Sequence, residues 1–215
     1  MALSPTSISH VTWSDHERER AGRPLVVALH GRGADESSMA GLAAYLPADI
    51  TLAAPRGPVA VDGGWTWFAN RGIGRPIEES IRATADALFA WLDDVSAEHS
   101  SVTLVGFSGG TAMAGGLLLA QPSRFAGAVL LSGTLPWDAG FDASPERLAS
   151  VPVFWGFDDA DAVIPRDLVA RSEAWLQDES GADLTMRTYP GMGHAISLEE
   201  LSDVSAFITS VTRHR

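Results

Sequence analysis

A serine between glycines is the residue of this chain that points most directly to chemistry. The pentapeptide GFSGG, residues 106–110, matches the pattern G-x-S-x-G of a nucleophile elbow. It follows the apolar run VTLV, which predicts a buried strand, and precedes TAMAGGLLLAQ, which predicts a helix of small residues. The pattern predicts that Ser108 stands at the end of a strand, where the partial positive charge of a helix N-terminus favours an oxyanion.

A serine hydroxyl is barely nucleophilic near neutral pH, so it needs a base. His194, in YPGMGHAISLEEL, lies between the last predicted strand and the last predicted helix, in a loop that reaches over the sheet. We interpret it as the base. His30 precedes the serine in the chain and is interpreted as a hydrogen-bonding brace of its own loop. The other histidines lie in polar or terminal segments without a supporting pattern: His10, His16, His99 and His214.

The base needs a carboxylate to orient it, and GFDDADAVIP offers three of them after the predicted strand VPVFWG. Asp158, Asp159 and Asp161 all satisfy the chain order serine, acid, histidine. We favour Asp161 because it immediately precedes AVIP, where Pro165 begins the next predicted helix and fixes the exit of the loop. Asp158 is the second choice, and one of the others is expected to cap the turn or to bind the loop backbone.

An oxyanion hole requires two backbone donors aimed at the developing charge. The residue after the nucleophile, Gly109, supplies one N–H group. The segment LHGRGADE, residues 29–36, follows an early strand, and its glycines allow a close approach to substrate. We expect the N–H group of Arg32 to be the second donor.

Six short apolar runs predict strands, separated by stretches of helical periodicity. The predicted strands are 24–31, 50–55, 101–108, 125–133, 151–156 and 183–189, and the main predicted helices are 77–95, 165–177 and 198–211. Continuous apolarity indicates strands that are covered on both faces. The alternation predicts a single α/β domain over residues 1–215, an open sheet with helices on both faces. The opening segment 8–22 is predicted as an edge strand or a hairpin.

Two longer loops, 56–80 and 132–150, follow predicted strands and are the expected walls of a ligand site, because ligands of open α/β sheets bind at the carboxyl ends of strands. The expected substrate-binding side chains are Trp65, Trp67, Phe68, Leu135, Ile164 and Met192. Neither loop is long enough for a separate lid domain, which favours an open site for short or medium acyl groups.

Composition excludes several classes of protein. The formal net charge of −12 argues against a nucleic-acid partner, and no apolar run reaches the roughly 18 residues of a membrane span. Without cysteine the chain has no disulfide, no thiolate nucleophile and no cysteine-ligated metal. The first twenty residues do not read as a secretory signal, so we expect a cytoplasmic protein.

Five motifs together resemble the phospholipase/carboxylesterase family of α/β-hydrolases, which includes bacterial carboxylesterases and acyl-protein thioesterases. LHGRGADE, GGWTWF, GFSGG, DAVIP and YPGMGH occur in the order and approximate spacing of that family, from about residue 24 to the last helix. The resemblance implies an α/β-hydrolase fold with a mostly parallel central sheet, helices on both faces and no separate lid domain.

The same resemblance implies a serine carboxylesterase that forms an acyl-enzyme and uses neither metal nor cofactor. Ser108, Asp161 and His194 correspond to the triad, and the N–H groups of Arg32 and Gly109 to the oxyanion donors. The chain departs from the family at Gly109, where many members have glutamine. Its acid loop is also longer than usual, which keeps the other two aspartates of that loop as alternatives.

Other functions remain open at this point. An acyl-thioesterase or a lysophospholipase-type hydrolase would have the same fold, whereas a dienelactone-type hydrolase would ordinarily need a cysteine. A non-catalytic binding module on a hydrolase fold would be expected to lose a member of the triad. The expected partner is a small-molecule acyl ester, and the chain is expected to be a monomer or a homodimer.

Overall fold

A computed structural model describes residues 7–213, so residues 1–6 and 214–215 of the predicted domain lie outside the described residues. Within the described part, the strands are numbered in chain order. They are β1 Val11–Trp13, β2 Leu25–Leu29, β3 Thr51–Pro55, β4 Val59–Val61, β5 Gly64–Thr66, β6 Val102–Phe107, β7 Gly127–Leu131, β8 Pro152–Phe157 and β9 Asp183–Thr188.

Seven of these strands form one sheet in the order β1-β3-β2-β6-β7-β8-β9, and β4 and β5 form a separate antiparallel pair. In the large sheet β1 runs antiparallel to β3, and every other pair is parallel. The opening segment is therefore an edge strand and not a hairpin. Because β2, β6 and β7 are parallel neighbours, their carboxyl ends meet at one edge of the sheet.

Five helices are numbered in chain order within the described residues. They are α1 Ser37–Ala40, α2 Glu78–Val95, α3 Gly109–Ala120, α4 Arg166–Asp178 and α5 Leu198–Arg213. The longer ones agree with the predicted helices to within about two residues at each end. Among residues 7–213, no helix is both long enough and apolar enough to cross a membrane.

The central strands β2, β3, β6, β7 and β8 are buried on both faces, as their continuous apolarity predicts, whereas the edge strands β1 and β9 are only partly buried. Neighbouring residues of β2 point to opposite faces, so Val27 packs in a core cluster with α2, α3 and α4, and Val26 packs in a second cluster with α1 and α5. Both side chains are fully buried. Burying a side chain of this size stabilises the fold by roughly 1.5–3 kcal/mol, and this holds the strand ends in fixed positions.

The segment 56–80, predicted as a loop, contains the hairpin of β4 and β5. Asp62 and Gly63 connect the two strands. Asp-Gly between strand-forming residues is a strong hairpin signal, and the prediction of a loop did not use it. The hairpin is attached to the early loop by two backbone bonds, from Gly33 N–H to the Trp65 oxygen at 2.8 Å and from Trp65 N–H to the Ala34 oxygen at 2.9 Å. It therefore stabilises the loop that carries Arg32.

Candidate active site

Ser108 occupies a sharp turn between β6 and α3. Its backbone has φ 55° and ψ −115°, which is unusual for a residue with a side chain. The flanking glycines are required by close approach: a Cβ atom at Gly110 would lie inside the Leu29 carbonyl, and one at Gly106 would collide with the Gly110 backbone. The turn that holds Ser108 therefore requires glycine at both of these positions.

A continuous series of hydrogen bonds joins the serine to a histidine and an aspartate. His194 Nε2 lies 2.9 Å from Ser108 Oγ, and His194 Nδ1 lies 2.7 Å from Asp161 Oδ2. Because an ionised carboxylate can only accept, Nδ1 carries the proton and Nε2 is left to accept the serine hydroxyl. This is the arrangement in which an imidazole acts as a base.

The backbone holds Asp161 in place. Its side chain is 5% exposed, and its second oxygen, Oδ1, accepts the N–H groups of Val163 at 2.7 Å and Ile164 at 3.4 Å. A buried carboxylate needs such partners. Of the three aspartates in this loop, Asp161 is the one whose carboxylate reaches the imidazole.

Asp158 has a different position, beneath the histidine loop. Its carboxylate accepts the N–H group of Gly193 at 2.7 Å and that of Ala160 at 2.8 Å. These bonds, above all the one from Gly193, hold the pKa of Asp158 below its usual value. Asp159 is exposed. Asp158 thus binds loop backbone next to His194, the role that the sequence left to one of the aspartates.

A further support of the histidine loop was not predicted from sequence. Ser132 follows β7, has φ 42°, and donates its hydroxyl to the Ala195 carbonyl at 3.0 Å. The Phe107 and His194 rings also lie 5.2 Å apart, centroid to centroid. A serine at the carboxyl end of the apolar run FAGAVLLSG was the sequence signal that could have identified Ser132.

The two expected backbone donors lie close to each other and to the serine. Neither the Arg32 N–H nor the Gly109 N–H has an acceptor among the described residues. A Cβ atom built on Gly109 would lie 3.4 Å from the Arg32 nitrogen, so the two backbones approach across the site. Gly109 begins α3, where N–H groups are without intrahelical acceptors and the helix dipole favours negative charge.

His30 is a brace and lies apart from the serine system. It is fully buried; Nδ1 is 2.8 Å from the Gly31 oxygen, and Nε2 accepts the Gly57 N–H at 2.9 Å. Burial lowers the pKa of His30, which favours the neutral ring that this pair of bonds requires. The interpretation of His30 as structural agrees with these contacts.

A cavity of about 290 Å³ opens beside the serine. It is lined by Arg32, Thr66, Phe68, Asn70, Ile73, Gly74, Ser108, Gly109, Ala112, Gly133, Thr134, Val163, Ile164 and His194. Of the expected substrate-binding side chains, Phe68 and Ile164 line this cavity.

The other four expected substrate-binding residues do not line it, and each has a structural role. Trp67 is fully buried and donates its indole N–H to the His30 carbonyl at 2.7 Å, so it supports the early loop. Trp65 pairs with that loop through its backbone, as described above. Leu135 is 1% exposed and packs toward α3, and Met192 packs against the second core cluster. Aromaticity and position in a loop do not distinguish a pocket wall from a brace.

Among residues 7–213, no group of three or more histidine, aspartate or glutamate side chains is arranged to hold a metal ion. The groups assembled at this edge of the sheet are a hydroxyl, an imidazole, a carboxylate and two backbone donors without acceptors among the described residues. Together they can support nucleophilic attack on a carbonyl carbon.

Comparison with known proteins identifies relatives that match most of this chain. The family model described as Phospholipase/Carboxylesterase matches residues 15–212. A probable carboxylesterase of Oryza sativa subsp. japonica is 30% identical over 202 residues, which is 84% of this chain and 85% of that protein. Carboxylesterase SOBER1 of Arabidopsis thaliana is 28% identical over 72% of this chain and 73% of its own length.

Acyl-protein thioesterase 1 of Kluyveromyces lactis is also similar, with 24% identity over 91% of this chain and 95% of that protein. Among solved structures, the Bacillus cereus carboxylesterase superimposes with a TM-score of 0.80 at 21% identity, covering 94% of this chain and 93% of that one. The structural likeness agrees with the α/β-hydrolase architecture, and the match to the family model extends over most of the chain. The chain belongs to the phospholipase/carboxylesterase family of α/β-hydrolases, and it is an ester-hydrolysing enzyme.

Proposed function

We propose that the protein is a serine carboxylesterase that hydrolyses short- to medium-chain acyl esters through a Ser108-His194-Asp161 triad. The observation that carries the proposal is the hydrogen-bonded series from Ser108 Oγ to His194 Nε2 at 2.9 Å and from His194 Nδ1 to Asp161 Oδ2 at 2.7 Å. It ends beside two backbone N–H groups without acceptors among the described residues.

The proposed reaction is acyl transfer to water. Ser108 Oγ attacks the acyl carbon while its proton passes to His194 Nε2, and the carbonyl oxygen becomes an oxyanion between the N–H groups of Arg32 and Gly109. Each such donor stabilises the transition state by about 3–4 kcal/mol in serine hydrolases. His194 then gives the proton to the leaving alcohol, and Asp161 stabilises the imidazolium in between.

The acyl-enzyme is then hydrolysed by the same groups. Water attacks the acyl carbon as His194 Nε2 takes its proton, a second oxyanion forms, and the Ser108–acyl bond breaks with return of the proton to Ser108 Oγ. An acid and the free enzyme are left. No other reactant than water is needed.

The size of the cavity supports short or medium acyl groups. Ligand pockets commonly measure about 300–1,000 Å³, and this cavity of about 290 Å³ lies at the low end of that range. Phe68, Ile73, Val163 and Ile164 give it apolar walls. A carbon chain that fills this space gains burial, and a longer one extends into solvent without further gain.

The test is hydrolysis of p-nitrophenyl butyrate by the wild type and by Ser108→Ala. We expect kcat to fall on the order of 10⁵–10⁶-fold, because loss of a serine nucleophile has effects of that size. A fluorophosphonate probe should label the wild type and not Ser108→Ala. A folded Ser108→Ala variant that retains most of the activity would contradict the mechanism, and a folded wild type that neither hydrolyses nor labels would favour a binding module.

A thioesterase is the second candidate, because relatives over nearly the whole chain are named acyl-protein thioesterase. Both reactions use the same proposed groups. A panel of esters and thioesters matched in acyl chain, from two to sixteen carbons, separates the two. A maximum of kcat/KM at short or medium esters supports the carboxylesterase, and a rise toward long thioesters supports the second candidate.

A further inference from the structure

Arg32 lines the cavity, and besides the backbone N–H discussed above it has an exposed guanidinium. Its guanidinium Nη1 donates to Asn70 Oδ1 at 2.8 Å, and both residues line the cavity with Ser108. Among the described residues, no carboxylate lies within ion-pair distance of this guanidinium. A positive charge without a counter-ion therefore borders the space next to the nucleophile.

The unpaired guanidinium of Arg32 belongs to a strongly acidic chain. The protein has 27 acidic and 15 basic residues, and some of its arginines contact carboxylates, as Arg56 does with Glu36 and Arg171 with Asp138. Asp161, the carboxylate of the same site, is already bound to His194 and to loop backbone. The local charge at the cavity wall is thus opposite to that of the whole molecule.

The hydrogen-bonding groups at this wall are donors. A guanidinium has only N–H groups, so the amide oxygen of Asn70 must face it, and the Asn70 NH₂ group points elsewhere. One of the five guanidinium N–H groups is used by Asn70. The remaining N–H groups of Arg32 suit a ligand that can only accept, such as a carboxylate, which an arginine binds in a two-pronged geometry.

Backbone contacts fix the position of Asn70. It pairs with Pro76 across a short turn, and the neighbouring Ala69 N–H is bound by the Ser80 hydroxyl at 2.9 Å. The turn itself carries Arg71 and Arg75, both of which are exposed and neither of which lines the cavity. Asn70 is thus a rigid support for the Arg32 side chain.

We infer that the Arg32 guanidinium, supported by Asn70, binds a carboxylate of the substrate, so that the preferred substrates are esters that also carry a carboxylate. The inference rests on the proposed function, because it names the substrate class of that same site. The residue that donates its N–H to the oxyanion also supplies the guanidinium. The distance between the bound carboxylate and the reacting carbonyl is therefore limited by the length of one arginine side chain.

The carboxylate can belong to the acyl part or to the leaving group, and two pairs of substrates separate these cases. The first pair is p-nitrophenyl hemisuccinate and its methyl ester, and the second is 4-carboxyphenyl butyrate and its methyl ester. Members of each pair differ by one methyl group and one charge. After subtraction of the uncatalysed rate, we expect the wild type to prefer the charged member of one pair by about ten-fold or more in kcat/KM, the size expected of one charge-assisted hydrogen bond.

The readout is the ratio of kcat/KM for the charged and neutral members, which does not depend on basal activity. In Arg32→Met the ratio should fall to about one or below, and Arg32→Lys should restore part of it. Arg71→Met removes an equal charge from a residue that does not line the cavity, so it should leave the ratio nearly unchanged. A wild-type ratio near one in both pairs, with Ser108-dependent hydrolysis of the neutral esters, overturns the inference and leaves the esterase function intact.

A binding measurement keeps the inference testable without turnover. In the Ser108→Ala background, calorimetry compares monomethyl succinate with dimethyl succinate. We expect the monoanion to bind about ten-fold tighter or more, and a second substitution, Arg32→Met, to remove the difference. Equal affinities for the two compounds refute the carboxylate site, whatever the esterase assays give.

Discussion

Replacement of Glu200 by glutamine should make the protein more stable at alkaline pH and change its stability little at acidic pH. Glu200 lies in the first turn of α5, is fully buried, and has no hydrogen-bond partner for either carboxyl oxygen among the described residues. One of these oxygens lies against the backbone of β8 at Gly156. A charged carboxylate in this position is costly, since burial favours the neutral form.

The magnitude follows from the pKa of the carboxyl. Burial raises the pKa of Glu200 from its ordinary value of 4.5 to about 7, and the charge of Asp203 acts in the same direction. The folded state therefore holds the proton more tightly than the unfolded chain. The stability linked to this proton is fully present below about pH 4.5, is lost as pH rises toward 7, and falls no further above about pH 8.

Each pKa unit corresponds to about 1.4 kcal/mol, so the whole shift is on the order of 3 kcal/mol. Between pH 5 and pH 8 the free energy of unfolding of the wild type should therefore fall, relative to Glu200→Gln, by about 2–3 kcal/mol. In a protein of this length that is a relative change in melting temperature on the order of 5–10 °C. Any cost of burying the amide itself is independent of pH and cancels in the comparison.

The assay is urea denaturation followed by tryptophan fluorescence at pH 5, 6, 7 and 8, for wild type, Glu200→Gln and Glu199→Gln. Glu199 is in the same helical turn but exposed, so its replacement should give a difference that varies little with pH. The reasoning is refuted if the difference between wild type and Glu200→Gln is the same at pH 5 and pH 8. It is also refuted if the difference grows in the opposite direction.

Three further predictions concern the site and its support. Asp161→Asn should lower kcat by about 10⁴-fold, because the histidine loses its orienting carboxylate. Asp158→Asn should lower kcat by at most about ten-fold, because an amide oxygen can still accept one loop N–H. Steady-state kinetics on p-nitrophenyl butyrate at constant pH checks this ranking, which is wrong if the two losses are equal. Gly110→Ala should destabilise the fold by about 3 kcal/mol or more, since its Cβ would meet the backbone of β2. Gly109→Ala should be tolerated, because the atom nearest to its new Cβ, the Arg32 nitrogen, would be 3.4 Å away. Equal melting temperatures of the two variants would contradict this difference. Ser132→Ala should remove one hydrogen bond to the histidine loop and destabilise the protein by about 1 kcal/mol. Its kcat should fall several-fold, and its KM should change less than its kcat. An unaltered kcat would show that this bond does not position the histidine.

Much of the fold could be predicted because its signals are local. The central strands of the sheet are short apolar runs with β-branched residues, and this pattern is typical of strands that are buried on both faces. The hairpin at 59–66 was missed although Asp-Gly marks it, because a loop rich in glycine and tryptophan also fits a pocket wall. Its role became visible through its backbone bonds to Gly33 and Ala34, far away in the sequence.

The site was predicted unevenly for the same reason. The serine and histidine lie in short patterns with a fixed chain order, so their positions follow from sequence. Trp67 was expected in the substrate pocket, but its indole N–H binds the His30 carbonyl, and a tryptophan in a core position has the same sequence pattern as one in a pocket. Asn70 was overlooked because an asparagine in a glycine-rich turn carries no signal of its own.

By itself, the sequence determined the fold class, the elbow around Ser108 and the order of the candidate nucleophile, acid and base, since each depends on residues that are neighbours in the chain. Only the tertiary structure decided which aspartate of the GFDDAD loop meets His194, which aromatic side chains are braces, and that the Arg32 guanidinium has no carboxylate partner among the described residues. These outcomes depend on distances between segments that meet at one edge of the sheet after folding. Two aspartates three residues apart are nearly equivalent in sequence, but the turn between them directs one to the imidazole and the other to the loop backbone.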